Sequence, residues 1–155
     1  MYCAGIDPGY GGAIALLPQD SNHDILIFDM PILTTGKNKE LDERELIIIL
    51  SSHDISHAYL EKAHTMPGQG ISSSGKYMML FGQIRGILAA LMIPYTLISP
   101  QAWKHKIMAD MGKDKEASII RAKQLFPSLN FSRKKDHGRA EALLIAKYGQ
   151  EYCCK

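Results

Sequence analysis

A chain of 155 residues with 46% hydrophobic content is the size of one ordinary domain with one core. No apolar run approaches the ~20 residues of a membrane span, and no basic-then-apolar leader opens the chain. Three cysteines without a CxxC pair argue against a disulfide framework or a zinc site, so the expectation is a single soluble domain over 1–155, cytoplasmic and not secreted. The net charge of +2 hides an asymmetry: residues 1–103 hold 6 Lys/Arg against 10 Asp/Glu, and residues 104–155 hold 12 against 6. A basic C-terminal third suits a polyanionic partner, or simply a solvated, lysine-rich surface.

In chain order, Tyr2–Asp7 is an apolar run ended by Pro8-Gly9-Tyr10-Gly11-Gly12. Ala13–Leu17 is a second run and Asp24–Met30 a third, and runs punctuated in this way predict an antiparallel meander. From Glu40 to Leu50 the apolar period becomes helical. Ala58-Tyr59-Leu60 is a short strand ending at Glu61, and Thr65–Gly75, rich in Gly and Ser, reads as a loop. A helix from about Lys76 to Met92 follows, apolar through Met79, Leu80, Ile84, Ile87, Leu88 and Leu91, and Tyr95–Ile98 is the fifth strand. Ser99-Pro100 is a helix start, opening a short helix that carries Trp103 and Lys104. Asp114 caps another, with Ile119, Ile120, Ala122, Leu125 and Phe126 as its stripe, and a last helix runs from about His137 to Tyr148. Three hairpin-like strands, then alternating helix and strand, then helices alone describe an α/β architecture. Its five-stranded mixed sheet flanked by helices has the element order of an RNase H-like fold.

The acids fall at informative places. Asp7 closes the first strand and Glu61 the fourth. A carboxylate at the end of an apolar strand needs a cation, hydrogen bonds, a raised pKa or exposure to water. Asp136-His137-Gly138-Arg139-Ala140-Glu141 opens the last helix, where His137 and Glu141, four apart, share a face. Taken alone, Asp136 reads first as the N-cap of that helix. Three or four carboxylates gathered from strand ends and one helix make a hard-oxygen site suited to Mg²⁺, with Mn²⁺ able to substitute. Two such ions about 3.5–4 Å apart can activate water and stabilise a leaving oxygen in phosphodiester hydrolysis.

At this point the residues resemble a family. Ala4-Gly5-Ile6-Asp7-Pro8-Gly9 resembles the opening of RuvC-like Holliday junction resolvases, and Leu60-Glu61-Lys62 their second acidic position. Gly82-Gln83-Ile84-Arg85-Gly86 is similar to the stretch on the following helix. Pro100-Gln101-Ala102-Trp103-Lys104 resembles the segment with a basic residue beside the scissile phosphate, and Ala140-Glu141-Ala142-Leu143-Leu144-Ile145-Ala146 the last helix. The matches run in order over nearly the whole chain. With Asp29-Met30-Pro31 and Trp103-Lys104, they look most like the bacteriophage and organellar branch.

The resemblance implies a metal-dependent endodeoxyribonuclease that makes paired symmetric nicks in branched DNA, a four-way junction, in recombination and repair. It implies a homodimer with no membrane partner and no small-molecule substrate. Asp7, Glu61, Glu141 and Asp136 would hold the metals, with Asp136 preferred to His137 as the fourth ligand because hard cations prefer oxygen. Lys104 would stabilise developing charge. The loop Thr65–Gly75 would approach the junction centre, and Gly82 and Gly86 would pack on a second copy or on the chain's own sheet. Lys113, Lys115, Arg133, Lys134, Lys135 and Arg139 would join Lys104 in meeting DNA phosphates, contacts that position DNA without reading its sequence. Trp103 reads as core or as a base-stacking residue.

Competing readings share some of these residues. An RNase H-fold nuclease acting on a flap or an RNA–DNA hybrid would use the same acids. A phosphotransferase of the actin and sugar-kinase superfamily also begins like Gly5–Ile14, but needs two such domains. A junction-binding module without catalysis would gain by losing the acids.

Overall fold

The strand β1 (Tyr2–Asp7) is buried at every position but its last, and such a strand needs cover on both faces. The computed structural model describes residues 1–63, 70–112, 116–133 and 135–153, and places this strand at the centre of a five-stranded sheet. Its antiparallel neighbour is β2 (Ala13–Pro18), which pairs in turn with β3 (Leu26–Asp29), giving the expected meander. A separate hairpin of β4 (Ile32–Thr35) and β5 (Asn38–Leu41) follows, turning through Gly36 at φ +61°. The sequence predicts no strands here, because these residues carry no core-facing alternation; most of the hairpin is exposed.

The first helix, α1 (Glu43–Ser51), begins at Glu43 rather than Glu40, capped by Asp42, whose carboxylate accepts from Glu45 N at 3.1 Å. The strand β6 (Ile55–Glu61) lies parallel to β1. Next, α2 (Ile71–Ala90) starts earlier than Lys76: residues 71–75, read as loop, form its first turn, with Ser74 N donating to Gly70 O at 3.0 Å. Serine and glycine propensities are weak preferences that the rest of a 20-residue helix overrides. Residues 65–69 of that expected loop lie outside the described residues.

Parallel to β6 runs β7 (Tyr95–Ile98), and the sheet order is β3-β2-β1-β6-β7. Ser99 Oγ accepts from Ala102 N at 3.2 Å and starts α3 (Pro100–Ile107) as its sequence signals predict. The chain continues through α4 (Glu116–Leu125) to α5 (His137–Tyr152); the predicted cap Asp114 lies outside the described residues.

Strand alternation sorts the core into two layers. Tyr2, Ala4, Ile6, Ile14, Leu16 and Leu60 pack with α1 and α2. Cys3, Ala13, Ala15, Leu17 and Tyr59 pack with α3, α4 and α5. The buried face of α4 centres on Ala117, Ser118 and Ala122, whereas Ile120 and Leu125 of the expected stripe are exposed. No described helix is long and apolar enough to cross a membrane.

Candidate active site

The alternation that buries Cys3 and Tyr59 toward α5 also sends Asp7 and Glu61 to that face. Ile6 pairs with Leu60 in the β1–β6 register, so the next residues, Asp7 and Glu61, end adjacent parallel strands side by side. The helix α5 lies close over them. A Cβ on Gly5 would stand 2.1 Å from Ala142 O, and one on Gly138 would stand 2.2 Å from Gly11 O. Glycine at these positions lets the helix approach the sheet at backbone distance, which carries Glu141 down among the strand ends.

Glu141 is nearly buried, and Oε1 gathers three partners from three places. Lys104 Nζ on α3 lies 3.0 Å away, Ser118 Oγ on α4 donates at 3.2 Å, and His137 Nε2 one turn earlier on α5 lies at 3.5 Å. Glu61 Oε2 accepts from the indole Nε1–H of Trp103 at 2.6 Å. Trp103 is fully buried, so it is a core residue as well as a hydrogen-bond donor, and Lys104 Nζ lies 5.0 Å from its ring centroid.

These acids feel one another. The Asp7 carboxyl is held well above the ordinary carboxylate range, first by burial, then by the charges of Glu141 and Glu61, with Lys104 opposing. Tyr77, on α2, is pushed up to about 12, by burial first and then by Asp7, Glu61 and Glu141. It therefore presents a neutral hydroxyl to the cluster near neutral pH. Neither Tyr77 nor Ser118 was singled out from the sequence. Ser118 has a visible signature, a hydroxyl four residues before Ala122 on a helix face that is otherwise apolar; Tyr77 has none, because aromatic residues at helical spacing usually signify core.

Other residues lie differently. Asp136 precedes α5, but its side chain does not cap the helix. Its Oδ2 accepts from Arg133 N at 2.8 Å and its Oδ1 from Arg133 Nε at 2.7 Å, and the residue is 1% exposed. Arg133 also grips Asp29, while Arg139 donates to Ile27 O and has Nε 3.3 Å from Asp29 Oδ1. Lys135, mostly exposed, reaches Asp29 Oδ2 at 3.3 Å. Asp29 thus draws inward part of the basic surplus that the sequence assigned to DNA. Lys113, Lys115 and Lys134 lie outside the described residues.

The donor set is chemically that of a hard divalent cation: carboxylate oxygens at strand ends, with an imidazole beside one of them. Among the described residues no three such side chains converge tightly enough to hold an ion as they stand, and Glu141 Oε1 rests on Lys104 instead. Burial first, and then the neighbouring Glu141 and Glu61, disfavour the ionised form of Asp7, and a divalent cation among these oxygens would offset both. By the chemistry of the donor set the residues fit such a group.

The sheet order and the helices on both faces are those of the RNase H-like fold, which solved resolvase structures share. Thermus thermophilus RuvC in complex with a Holliday junction substrate matches with a TM-score of 0.65 at 16% identity, over 99% of this chain and 94% of that one. The fowlpox virus resolvase in complex with its substrate Holliday junction DNA matches at 0.62 and 17% identity over 100% of both chains. The yeast mitochondrial Holliday junction resolvase matches at 0.54 and 16% identity, over 96% of this chain and 77% of that one. The chain is also similar to a chloroplastic Holliday junction resolvase of Chlamydomonas reinhardtii, 30% identical over 99 residues. That span is 63% of this chain and 11% of the relative's length. No protein-family model matches the chain.

Proposed function

We propose that this chain is a Holliday junction resolvase, a metal-dependent endodeoxyribonuclease that makes paired symmetric nicks in four-way DNA junctions. The observation that carries this reading is the convergence of Asp7, Glu61 and Glu141 from β1, β6 and α5, with Lys104 beside them. A pure binding module would gain nothing from three mutually repelling acids on a surface meant for phosphates.

Asp7, Glu61 and Glu141 would hold Mg²⁺ or Mn²⁺, with His137 the favoured fourth donor because Asp136 is engaged by Arg133. When bound, the metal supplies an activated water and stabilises the leaving oxygen. The protein's own groups prepare the site. Trp103 fixes the orientation of Glu61, and Ser118 fixes that of Glu141. Lys104 places a cation where negative charge develops on the phosphate. Tyr77 closes the acid cluster on the α2 side with a neutral hydroxyl.

The partner would be branched DNA, bound by a symmetric pair of chains. Support for the pair comes from α2, whose outer face is unused: a Cβ on Gly75, Gly82 or Gly86 would meet nothing within 4 Å, and Met78 and Met79 are exposed. A groove of about 310 Å³ lined by Ile47, Gly86, Ile87, Ala90 and Leu91 continues this face toward α1. Gln83 and Arg85 are used within the chain, on Glu43 Oε1 at 2.9 Å and Tyr95 Oη at 3.2 Å.

The test is a panel of substrates with Mg²⁺ or Mn²⁺: four-way junction, linear duplex, flap and RNA–DNA hybrid. The proposal expects cutting of the junction and loss of cutting in Glu141→Gln. Preferential cutting of flap or hybrid would keep the nuclease and overturn the substrate; binding without cutting in either metal would overturn the enzyme.

A further inference from the structure

Between the sheet edge and the start of α5 lies a closed set of charges that the cleavage reading does not use. Arg133 Nη1 and Nη2 donate in a fork to Asp29 Oδ2 and Oδ1 at 2.9 and 2.7 Å. Its Nε donates to Asp136 Oδ1 at 2.7 Å and its backbone N–H to Asp136 Oδ2 at 2.8 Å. One guanidinium therefore joins the last residue of β3 to the residue immediately before α5. Planar bidentate pairing fixes direction as well as distance, which a point charge does not.

The consequence falls on His137 and Glu141. Close packing at Gly5 and Gly138 sets how near α5 lies to the sheet, but the incoming chain must still be held. Asp136 holds it: its carbonyl accepts from Ala140 N at 2.9 Å, its N–H donates to Arg133 O at 3.0 Å, and its carboxylate is fixed by Arg133. We infer that Arg133 is a positioning residue for the reaction, a clasp between Asp29 and Asp136 that orients the first turn of α5 and so His137 and Glu141. This rests on the proposed cleavage activity.

The competing role is a phosphate contact. Both carboxylates already occupy the guanidinium, and three of its five N–H groups are committed. The two roles predict opposite results at Asp29. Removing an acid beside Arg133, Lys135 and Arg139 strengthens a DNA-facing cation cluster but loosens a clasp.

The experiment compares wild type, Asp29→Asn, Arg133→Gln, Arg133→Lys and the Asp29→Asn/Arg133→Gln double variant. Single-turnover cleavage of a four-way junction is measured at saturating protein, and junction Kd separately in EDTA. A clasp predicts that Asp29→Asn binds as tightly as wild type or more tightly, yet cuts about tenfold or more slowly, in line with losses from outer-shell partners. Arg133→Lys, with charge but no fork, loses cleavage much as Arg133→Gln does and keeps its Kd. The double variant is no slower than the worse single, because both break one link.

Cleavage by Asp29→Asn at the wild-type rate overturns the inference even if Arg133→Gln fails to fold, since the fork would then be dispensable. Weaker binding by Arg133→Gln, with a salt slope reduced by about one and rescue by Arg133→Lys, assigns Arg133 to the DNA instead. Wild-type protein that cuts no junction in either metal removes the reaction itself. Wild-type cutting matched by every variant removes Arg133's role alone.

Discussion

The indole of Trp103 donates to Glu61 Oε2 at 2.6 Å from a fully buried position, so one side chain both fills the core beneath α3 and aims a carboxylate of the candidate active site. The two tasks separate in Trp103→Phe, which keeps an aromatic ring and deletes the N–H. Glu61 then loses a partner in a part-buried setting, costing about 1–3 kcal/mol of stability. Cleavage falls roughly 10- to 100-fold, the range typical of outer-shell partners of metal ligands. Thermal melts and single-turnover rates measure both. An unchanged rate would show that Glu61 is oriented without the indole.

Lys104 sits 3.0 Å from Oε1 of the nearly buried Glu141 and opposes the negative charge gathered at Asp7, so it stabilises the metal-free fold as well as serving the reaction. Lys104→Met should lower the melting temperature without metal and lower the cleavage rate by about 10²–10³-fold, as removal of a preorganised transition-state donor does. A fall in junction affinity with an intact rate at saturation would make it a simple phosphate contact.

Two aspartates should give stability opposite signs of pH dependence. The Asp7 carboxyl is raised, by burial and then by Glu141 and Glu61, so the folded state binds its proton more tightly than the unfolded chain. Stability from this group is greatest in acid and falls as pH rises from the unfolded value through the raised folded one. Asp7→Asn should therefore melt higher than wild type at neutral pH without metal, while abolishing cleavage. Mg²⁺ or Mn²⁺ should raise the melting temperature of wild type and not of the variant. A variant less stable than wild type at neutral pH would contradict the repulsion inferred among the acids.

Asp29 runs the other way. Arg133, then Lys135, hold its carboxyl down to about 2 against its own partial burial. Its contribution is fully present above the unfolded value near 4 and is lost as pH falls through about 2. The group is 42% exposed, so solvent screening limits the effect to roughly 0.5–1 kcal/mol. Urea unfolding of Asp29→Asn at pH 7 and pH 3 should show the difference from wild type shrinking toward acid.

Much of this architecture is legible in the sequence, because apolar runs of strand length broken by glycine and proline have few other meanings. Tyr2–Asp7 and Tyr95–Ile98 end where the residues say they end, and Ser99-Pro100 starts its helix. The hairpin of β4 and β5 is not legible, since its residues face solvent and carry no burial pattern. The first turn of α2 is hidden by Ser72-Ser73-Ser74-Gly75, whose local preference loses to the helix behind it. At the site, strand parity brings Asp7 and Glu61 to one face, and helical spacing brings His137 to Glu141. The fate of Asp136 turns on Asp29 and Arg133, 104 residues apart, a pairing that no local pattern encodes.

The open face of α2 gives a prediction about assembly. Because nothing lies within 4 Å of a Cβ at Gly86, Gly86→Ala should stabilise the chain by up to about 1 kcal/mol through helix propensity alone. Gly86→Arg should fold equally well yet remain monomeric in sedimentation analysis, and it should nick one junction strand without its partner. A dimeric Gly86→Arg would move the proposed interface elsewhere.

Paired nicking is read out by end-labelling each strand of a synthetic four-way junction in turn and incubating it with the protein and Mg²⁺ or Mn²⁺. A resolvase leaves nicks at symmetric positions in two opposing strands, none on linear duplex of the same sequence, and none with Asp7→Asn. An uncut junction in both metals, or duplex cut as readily as the junction, would contradict the resolvase reading.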